Sequence, residues 1–505
     1  MMKLVYSMGL TGVDSFLVYV ECDISRGLPA FDIVGLPDIS VKESRDRVRS
    51  ALKNSDFKFP ISRIVVNLAP GNIRKYGPIY DLPILLSILS SSGQINDIPE
   101  DSIFIGELSL SGNLKKVTGI LPMVLEAKKL GFKNIYLPEE NSSEAAIVDN
   151  INIFPVKNIV ELKNHLNKKI PIIKCQKTKI KFESLKSDLD FSQIKGQDIA
   201  KRAMEIAAAG CHNILLIGPP GSGKSMLSKR LASIMPNMTF DEILETTKIY
   251  SVIGSLSSDR PLILNRPFRS PHHTVSPAGL TGGGTVPKPG ELTLAHNGIL
   301  FLDELPEFSR VSLEALRQPI EDGKVTISRA QSSLTYPCSV VLVVAMNPCP
   351  CGYYGSSIRE CTCSQSSIRR YLSRVSGPLL DRIDLHVEVA PVEFDDLSSF
   401  DEIESSEEIK KRVVHARDIQ RDRYNSELCN SKVNIQDFSD FFKISEKARI
   451  ILRKSFESLG MSARGYEKII RISRSIADLE KSDKILDDHI LEAIQYRDLD
   501  KKYWI

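Results

Sequence analysis

Charge of one sign is what this 505-residue chain has least of. It carries 66 lysines and arginines against 63 acidic residues, a net charge of +3. No global basic field announces a nucleic-acid partner, so any such binding has to use a local patch. Long hydrophobic runs are missing too. No apolar stretch reaches the roughly 18–20 residues that a bilayer crossing takes, which excludes a helical membrane span. The opening stretch MMKLVYSMGLTGVDSF lacks the basic segment, apolar core and small-residue cleavage site of a secretory leader. The expectation is therefore a cytoplasmic protein. In that compartment its nine cysteines are expected as thiols or metal ligands, not disulfides. No repeat of fixed period is present.

What is there is an ordinary globular composition, 42% hydrophobic and 26% charged, at a length that calls for two or three domains. Residues 1–165 alternate short β-branched runs with helical patterns. RIVVNLAP (63–70) reads as a buried strand, and DIPEDSIFIGELSLSG (97–112) holds a strand pair. VTGILPMVLEAKKLG (117–131) predicts a helix with Ile120, Met123, Val124 and Ala127 on its apolar side and Gly131 near its C-cap. NIYLPEEN (134–141) follows as strand and turn. This is an α+β or α/β unit.

Residues 166–190 include the lysine-rich NKKIPIIKCQKTKIKF, which suits a linker or a DNA-touching arm. Residues 191–400 alternate buried strands with helices, the α/β pattern of a parallel sheet. From 401 to 505 the acidic DEIESSEE leads into successive helical patterns, a helical final domain.

NILLIGPPGSGKSMLSKRL (213–231) carries the chemistry. Gly218, Pro219, Pro220, Gly221, Ser222, Gly223, Lys224 and Ser225 fit the phosphate-loop pattern, between an apolar strand and a helix. Backbone N–H groups of such a loop approach the phosphates of ATP, Lys224 neutralises them, and Ser225 ligates Mg²⁺. GILFLDELPEF (298–308) supplies Asp303 at a strand end for the metal and Glu304 to polarise the attacking water. A third strand, SVVLVVAM (339–346), ends in Asn347, a residue able to orient that water. GPLLDRIDLH (377–386) puts Arg382 after a short helical turn. It is either an arginine finger reaching a neighbour's nucleotide or a salt-bridge partner of Asp381 or Asp384. Arg464, in MSARGYEKIIRISRS (461–475), stands at a helix start as a candidate sensor of the γ-phosphate.

In this order the elements resemble the AAA+ ATPases of the magnesium-chelatase-like group, and within it the YifB/ComM family of competence-associated helicases. The motifs that carry the resemblance are GLPAFDIVGLPDISVKESRDRVRSAL (27–52), NLAP (67–70), RPFRSPHHT (266–274), HNGILFLDELPEF (296–308), AMNPCPCGYYG (345–355) and LSRVSGPLLDRIDLHVEV (372–389). The resemblance implies an AAA+ core with a helical lid, and a hexameric ring that moves DNA and drives branch migration of recombination intermediates. It makes Arg382 the finger and Arg464 the second sensor. It also implies two insertions. One includes SPAGLTGGGTVPKPGELTL (276–294), whose glycines and prolines predict a mobile loop. The other is a hairpin over VTISRAQSSLTYP (325–337), with its tip near Gln331–Ser333. That hairpin faces the ring's pore, where Arg329 would hold a phosphate, or packs between subunits.

The first domain resembles the Lon-protease (S5-like) peptidase domain, on GELSLSGNLKKVTGILPMVLEAKKLGFKNIYLPEEN (106–141) and YGPIYDLPILL (76–86). The dyad's serine position falls on Ile79 and its lysine position on Leu121. Neither side chain attacks a carbonyl or moves a proton, so the domain is expected to order the ring or bind a partner.

Cys349, Cys351, Cys361 and Cys363 cluster in PCPCGYYGSSIRECTCS. Four thiolates can close a tetrahedral zinc site; the other reading is four reduced thiols in a mobile loop. Cys22, Cys175, Cys211, Cys338 and Cys429 are expected as structural thiols. The functional expectation is an ATP- and Mg²⁺-dependent DNA motor. One rival is a motor for metal insertion into a porphyrin, whose subunit normally lacks the Lon-like first domain. The other is an ATP-switched protein scaffold.

Overall fold

The computed structural model describes residues 4–95, 98–177, 189–257, 259–284, 287–329, 332–356, 359–392, 403–437, 441–459, 461–497 and 499–504. The chain forms two compact units. One comprises Met1–Glu183 together with Phe240–Leu264, the other Ser184–Thr239 with Asn265–Ile505.

The first unit is built on a seven-stranded mixed sheet. Leu4–Thr11 and Asp14–Ser25 form a hairpin closed at Thr11 and Asp14. Arg63–Ala69 pairs antiparallel with Asp14–Ser25, and Ala30–Val34 runs parallel beside it at the edge. On the other side lie Ser102–Phe104, Asn134–Pro138 and Asn152–Val156, all parallel. The helix Ile39–Asn54 starts where the Asp38 carboxylate accepts the Val41 amide at 2.8 Å, satisfying one of the helix's orphan donors. The helix Asp81–Ser91 is apolar nearly all round and buried, as such a helix must be. The expected helix appears as Ile120–Lys129. Both dyad positions belong to the core: Ile79 is 6% exposed and Leu121 fully buried.

Residues 240–264 fall inside the span expected of the ATPase core, yet they group with this first unit. The reason is a buried polar junction. In the helix Phe240–Val252, Ser251 donates its hydroxyl to Glu144 at 2.5 Å, and the same carboxylate accepts the Leu121 amide at 2.9 Å. The Ser251 carbonyl accepts from Gly119, and Lys116 donates to the Leu256 carbonyl at 2.7 Å. Of the expected linker 166–190, residues 178–188 lie outside the described residues; the part before them docks on the same unit, with Ile172 buried and the Cys175 amide on the Ile153 carbonyl at 2.8 Å.

The second unit holds a five-stranded sheet in the order Phe268–Arg269, Ile299–Leu302, Val341–Met346, Ile214–Ile217, Leu385–Glu388. Every neighbouring pair is parallel. Its central strands are buried on both faces, which is why they read as continuous apolar runs. Helices Ser406–Tyr424, Glu446–Leu459, Ala463–Leu479, Asp487–Gln495 and Leu499–Trp504 make the helical final part. Ile469, Ile472 and Ile476 of the third share one core with Ile206 and Ile214.

Two expectations are corrected. The described residues of 276–294, all but 285 and 286, are structured. They form the helix Pro277–Thr281, the antiparallel pair Gly282–Gly283 with Lys288–Pro289, and the helix Glu291–Leu294, and they bury Leu280 and Leu292 completely. Their glycines serve close approach: a Cβ on Gly290 would sit 2.4 Å from the Gly282 nitrogen. Arg269 fastens the segment with two bonds to Glu291, at 2.6 and 2.7 Å. The second correction is a disulfide between Cys211 and Cys429, whose Cα atoms lie 5.9 Å apart. Two residues 218 apart in sequence meet because the end of the helix Asp198–Gly210 packs against the turn before Asn430–Lys432.

Candidate ATP site

Chain order would scatter the site; sheet order gathers it. Ile214–Ile217 runs into the loop 218–223 and then the helix Lys224–Ile234. The strand beside it ends at Asn347, and the next one out ends at Asp303. These are the carboxyl ends of parallel strands, where open α/β sheets bind ligands. All three polar groups converge. The Lys224 ammonium donates to the Gly218 and Pro219 carbonyls at 2.7 Å each and lies 3.3 Å from the Asn347 amide oxygen. Ser225 donates its hydroxyl to Asp303 at 2.7 Å. A hydroxyl and a carboxylate side by side are the oxygen donors a hard cation such as Mg²⁺ takes.

Lys224 is 8% exposed. Burial pushes its pKa from the usual 10.5 down to about 8, against the smaller pull of Asp303 upward. Charge is thus held where desolvation makes it costly, as expected of a group that meets phosphate.

Glu304 follows Asp303 and stays exposed, its amide capped by the Asp303 carboxylate at 2.9 Å. Its φ of +52° is left-handed, a conformation that costs a non-glycine residue about 1–2 kcal/mol. His273 Nδ1 lies 3.6 Å from its carboxylate, and the His272 ring is 4.0 Å from that of His273. His273 was not picked out as a site residue from the sequence. Its signal was the paired histidines of RPFRSPHHT, in the loop after the edge strand.

Arg382 is not paired with Asp381 or Asp384. Its guanidinium bonds Glu321, the Arg317 carbonyl at 2.9 Å and the Pro378 carbonyl at 2.7 Å. Asp384 is held by Lys468 at 3.6 Å and His212 at 3.3 Å, which keep its carboxyl well below the usual range despite burial. Burial in turn pushes Lys468 down to about 8. Arg464 stands exposed in the first turn of Ala463–Leu479, whose N-cap Ser462 accepts the Gly465 amide at 3.1 Å. Arg382 and Arg464 line one cavity of about 330 Å³ with Glu321, Asp381 and Lys468, and no phosphate-loop residue lines it.

The hairpin is present as Lys324–Arg329 paired with Ser332–Pro337. Its tip and the Arg329 side chain lie outside the described residues. Tyr336 anchors its base, buried and donating to the Pro287 carbonyl at 3.0 Å.

The four clustered cysteines converge. Their sulfurs all lie within 4.8 Å of one another, with Cys349 at 3.4 Å from Cys351 and 3.7 Å from Cys361.

A parallel sheet with a phosphate loop, a Mg²⁺-type oxygen pair and an adjacent glutamate defines a phosphate-loop nucleotide hydrolase. Comparison with known proteins sharpens this. The family described as "Magnesium chelatase, subunit ChlI" matches residues 190–397, "Subunit ChlI of Mg-chelatase" matches 20–141, and "Magnesium chelatase, subunit ChlI C-terminal" matches 403–497. The chain is 41% identical to the competence protein ComM of Haemophilus influenzae, over 98% of this chain and 97% of that one. It is 40% identical to YifB of Escherichia coli, over 99% and 98%. A shorter stretch, 18% of this chain and 20% of its relative, is 37% identical to the DNA repair protein RadA of Listeria monocytogenes. The chain belongs to the YifB/ComM family of magnesium-chelatase-like AAA+ ATPases. No helix among the described residues is long and apolar enough to cross a membrane.

Proposed function

We propose that this chain is the subunit of an ATP-driven DNA motor, a ring that is hexameric by family resemblance and drives branch migration of recombination intermediates. The observation that carries the ring is the separation of its catalytic parts. Lys224, Ser225, Asp303, Glu304 and Asn347 gather at one end of the sheet. Arg382 and Arg464 line a cleft to which the phosphate loop contributes nothing. A finger that does not reach its own nucleotide serves a neighbour's. On this reading both arginines act across the subunit boundary, and Arg382 leaves Glu321 when the neighbour docks. ATP binds at 218–225, Mg²⁺ at Ser225 and Asp303, and Glu304 polarises the attacking water. The four thiolates hold zinc.

DNA as the partner is supported by the printed names of two relatives, a competence protein and a DNA repair protein. The chelatase family matches favour a second reading, a motor for metal insertion. ATPase rates decide between them: forked DNA without any porphyrin stimulates the motor proposed here, whereas a rate indifferent to DNA rejects it. The ring has its own test. Arg382→Ala abolishes turnover while nucleotide binding survives, and mixing it with Lys224→Ala restores part of the rate. Such a finger contributes on the order of 10³–10⁵ in rate. Normal turnover of Arg382→Ala alone rejects the assignment.

A further inference from the structure

The cysteine cluster sits against the ATP site. The strand Val341–Met346 ends, Asn347 follows, and Cys349 and Cys351 come directly after it. Cys361 and Cys363 precede Ser364, the N-cap of the helix Gln365–Leu372, whose hydroxyl accepts the Ser367 amide at 3.3 Å. The two arms therefore join the strand end that carries Asn347 to the start of a helix.

The distances fit one ion. Four sulfurs at about 2.3 Å from a tetrahedral Zn²⁺ stand about 3.8 Å apart. The sulfur pairs 349–351, 349–361 and 351–361 are separated by 3.4, 3.7 and 3.6 Å. Disulfide sulfurs would be about 2.0 Å apart, so none of these three pairs is bonded. The Cys351 amide points at the Cys363 sulfur at 3.4 Å, the kind of outer hydrogen bond that orients a thiolate ligand. Cys349 is fully buried, and the other three sulfurs pack beside the core that contains Met346 and Leu302. Among the described residues between 348 and 364 there is no helix or strand, so a metal would supply order that secondary structure does not.

The turn also rests on the phosphate loop. Gly352 has φ +87°, and a Cβ placed on it would fall 2.5 Å from the Pro220 side chain. Asn347, at the root of the same turn, reaches the Lys224 ammonium at 3.3 Å.

We infer that Cys349, Cys351, Cys361 and Cys363 hold one Zn²⁺ as a clasp that fixes Asn347 and the 349–352 turn against Pro220, so that ATP turnover depends on an ion that touches no nucleotide. This rests on the ATPase reading above, and the test separates the two. The metal site is read without activity. Protein from zinc-replete medium carries one zinc per chain by elemental analysis. Cobalt exchange gives a thiolate-to-cobalt charge-transfer band with tetrahedral visible bands. Cys361→Ser and Cys363→Ser, both on the arm remote from Asn347, lose the metal. Cys361→His, which keeps four ligands, retains it. Protein without zinc, or a cobalt spectrum without the thiolate band, overturns the site.

The coupling is read second. Zinc is released from the wild-type chain with a mercurial, and the thiols and zinc are then restored. Turnover falls by about 10- to 100-fold, the usual effect of misplacing a catalytic group by an ångström, and returns with zinc. KM for ATP changes less than kcat, because Lys224 and the loop amides remain. A wild-type kcat in zinc-free, folded protein overturns the clasp. If the chain hydrolyses no ATP under any condition, the ATPase reading fails while the zinc content still decides the site. The clasp is then read from the loop contact: amide exchange over 218–223 rises on zinc release, and unchanged exchange overturns it.

Discussion

On the proposed binding of phosphate by Lys224, ATP affinity should fall as pH rises through 8, because burial lowers the pKa of that lysine to about 8. Burial holds the free Lys224 near pKa 8 instead of 10.5. Bound phosphates favour the charged ammonium, so the complex retains its proton to higher pH than the free protein does. By linkage, binding then takes up a proton, and affinity is full below 8 and lost above it. With a pKa of 8, about nine-tenths of the free lysine is charged at pH 7 and about one-tenth at pH 9. The dissociation constant should rise roughly tenfold between those values, about 1.4 kcal/mol. Calorimetric titration of Mg²⁺ and a slowly hydrolysed ATP analogue into the chain, in buffers of different ionisation enthalpy, measures both affinity and proton uptake. Nearly one proton per nucleotide should be taken up at pH 9 and almost none at pH 7. Lys224→Arg supplies the control: a guanidinium stays charged throughout, so its affinity, whatever its level, should not bend near 8. A wild-type affinity that is flat from pH 7 to 9 refutes the argument. It would mean that the two loop carbonyls at 2.7 Å hold the ammonium charged despite its burial.

Glu304→Gln should keep ATP and Mg²⁺ binding and lose turnover, since Ser225 and Asp303 remain; trapped nucleotide after gel filtration measures this, and wild-type hydrolysis rejects the role. His273→Ala should lower kcat roughly tenfold with little change in KM, as loss of a positioning contact to Glu304 would; an unchanged kcat says that the 3.6 Å contact is incidental. Arg464→Ala should cut turnover of assembled protein but leave nucleotide affinity of dilute, dissociated subunits unchanged if, as proposed, the residue serves a neighbour; weaker binding by isolated subunits places it on its own nucleotide instead. The Cys211–Cys429 cross-link closes a loop of 218 residues, for which chain entropy allows up to about 5 kcal/mol. Reductant should therefore lower the unfolding midpoint of air-oxidised protein but not that of Cys429→Ser, and equal midpoints would show that the two sulfurs do not bond in solution.

By itself the sequence determined whatever is local. Strand, loop and helix are contiguous over 213–231, and glycine, lysine and serine at fixed offsets leave one chemistry, so the phosphate loop was legible from 19 residues. Asp303 and Asn347 were legible as polar residues ending apolar runs, although they lie 78 and 123 residues from the groups they meet. The convergence of four cysteines was legible because two short arms lie in one loop. What the tertiary structure alone decided depends on pairing between distant elements, which no local pattern encodes. It moved 240–264 into the first unit, through the buried Glu144–Ser251 junction. It ordered a glycine- and proline-rich segment by letting two backbones touch at Gly282 and Gly290. It gave Arg382 to Glu321, 61 residues away, and set Arg464 beside it in one cleft. Hydrophobic periodicity says that a helix has an inside face. Which partner fills that face, and so which charged groups end at the same rim, is settled only when the cores close.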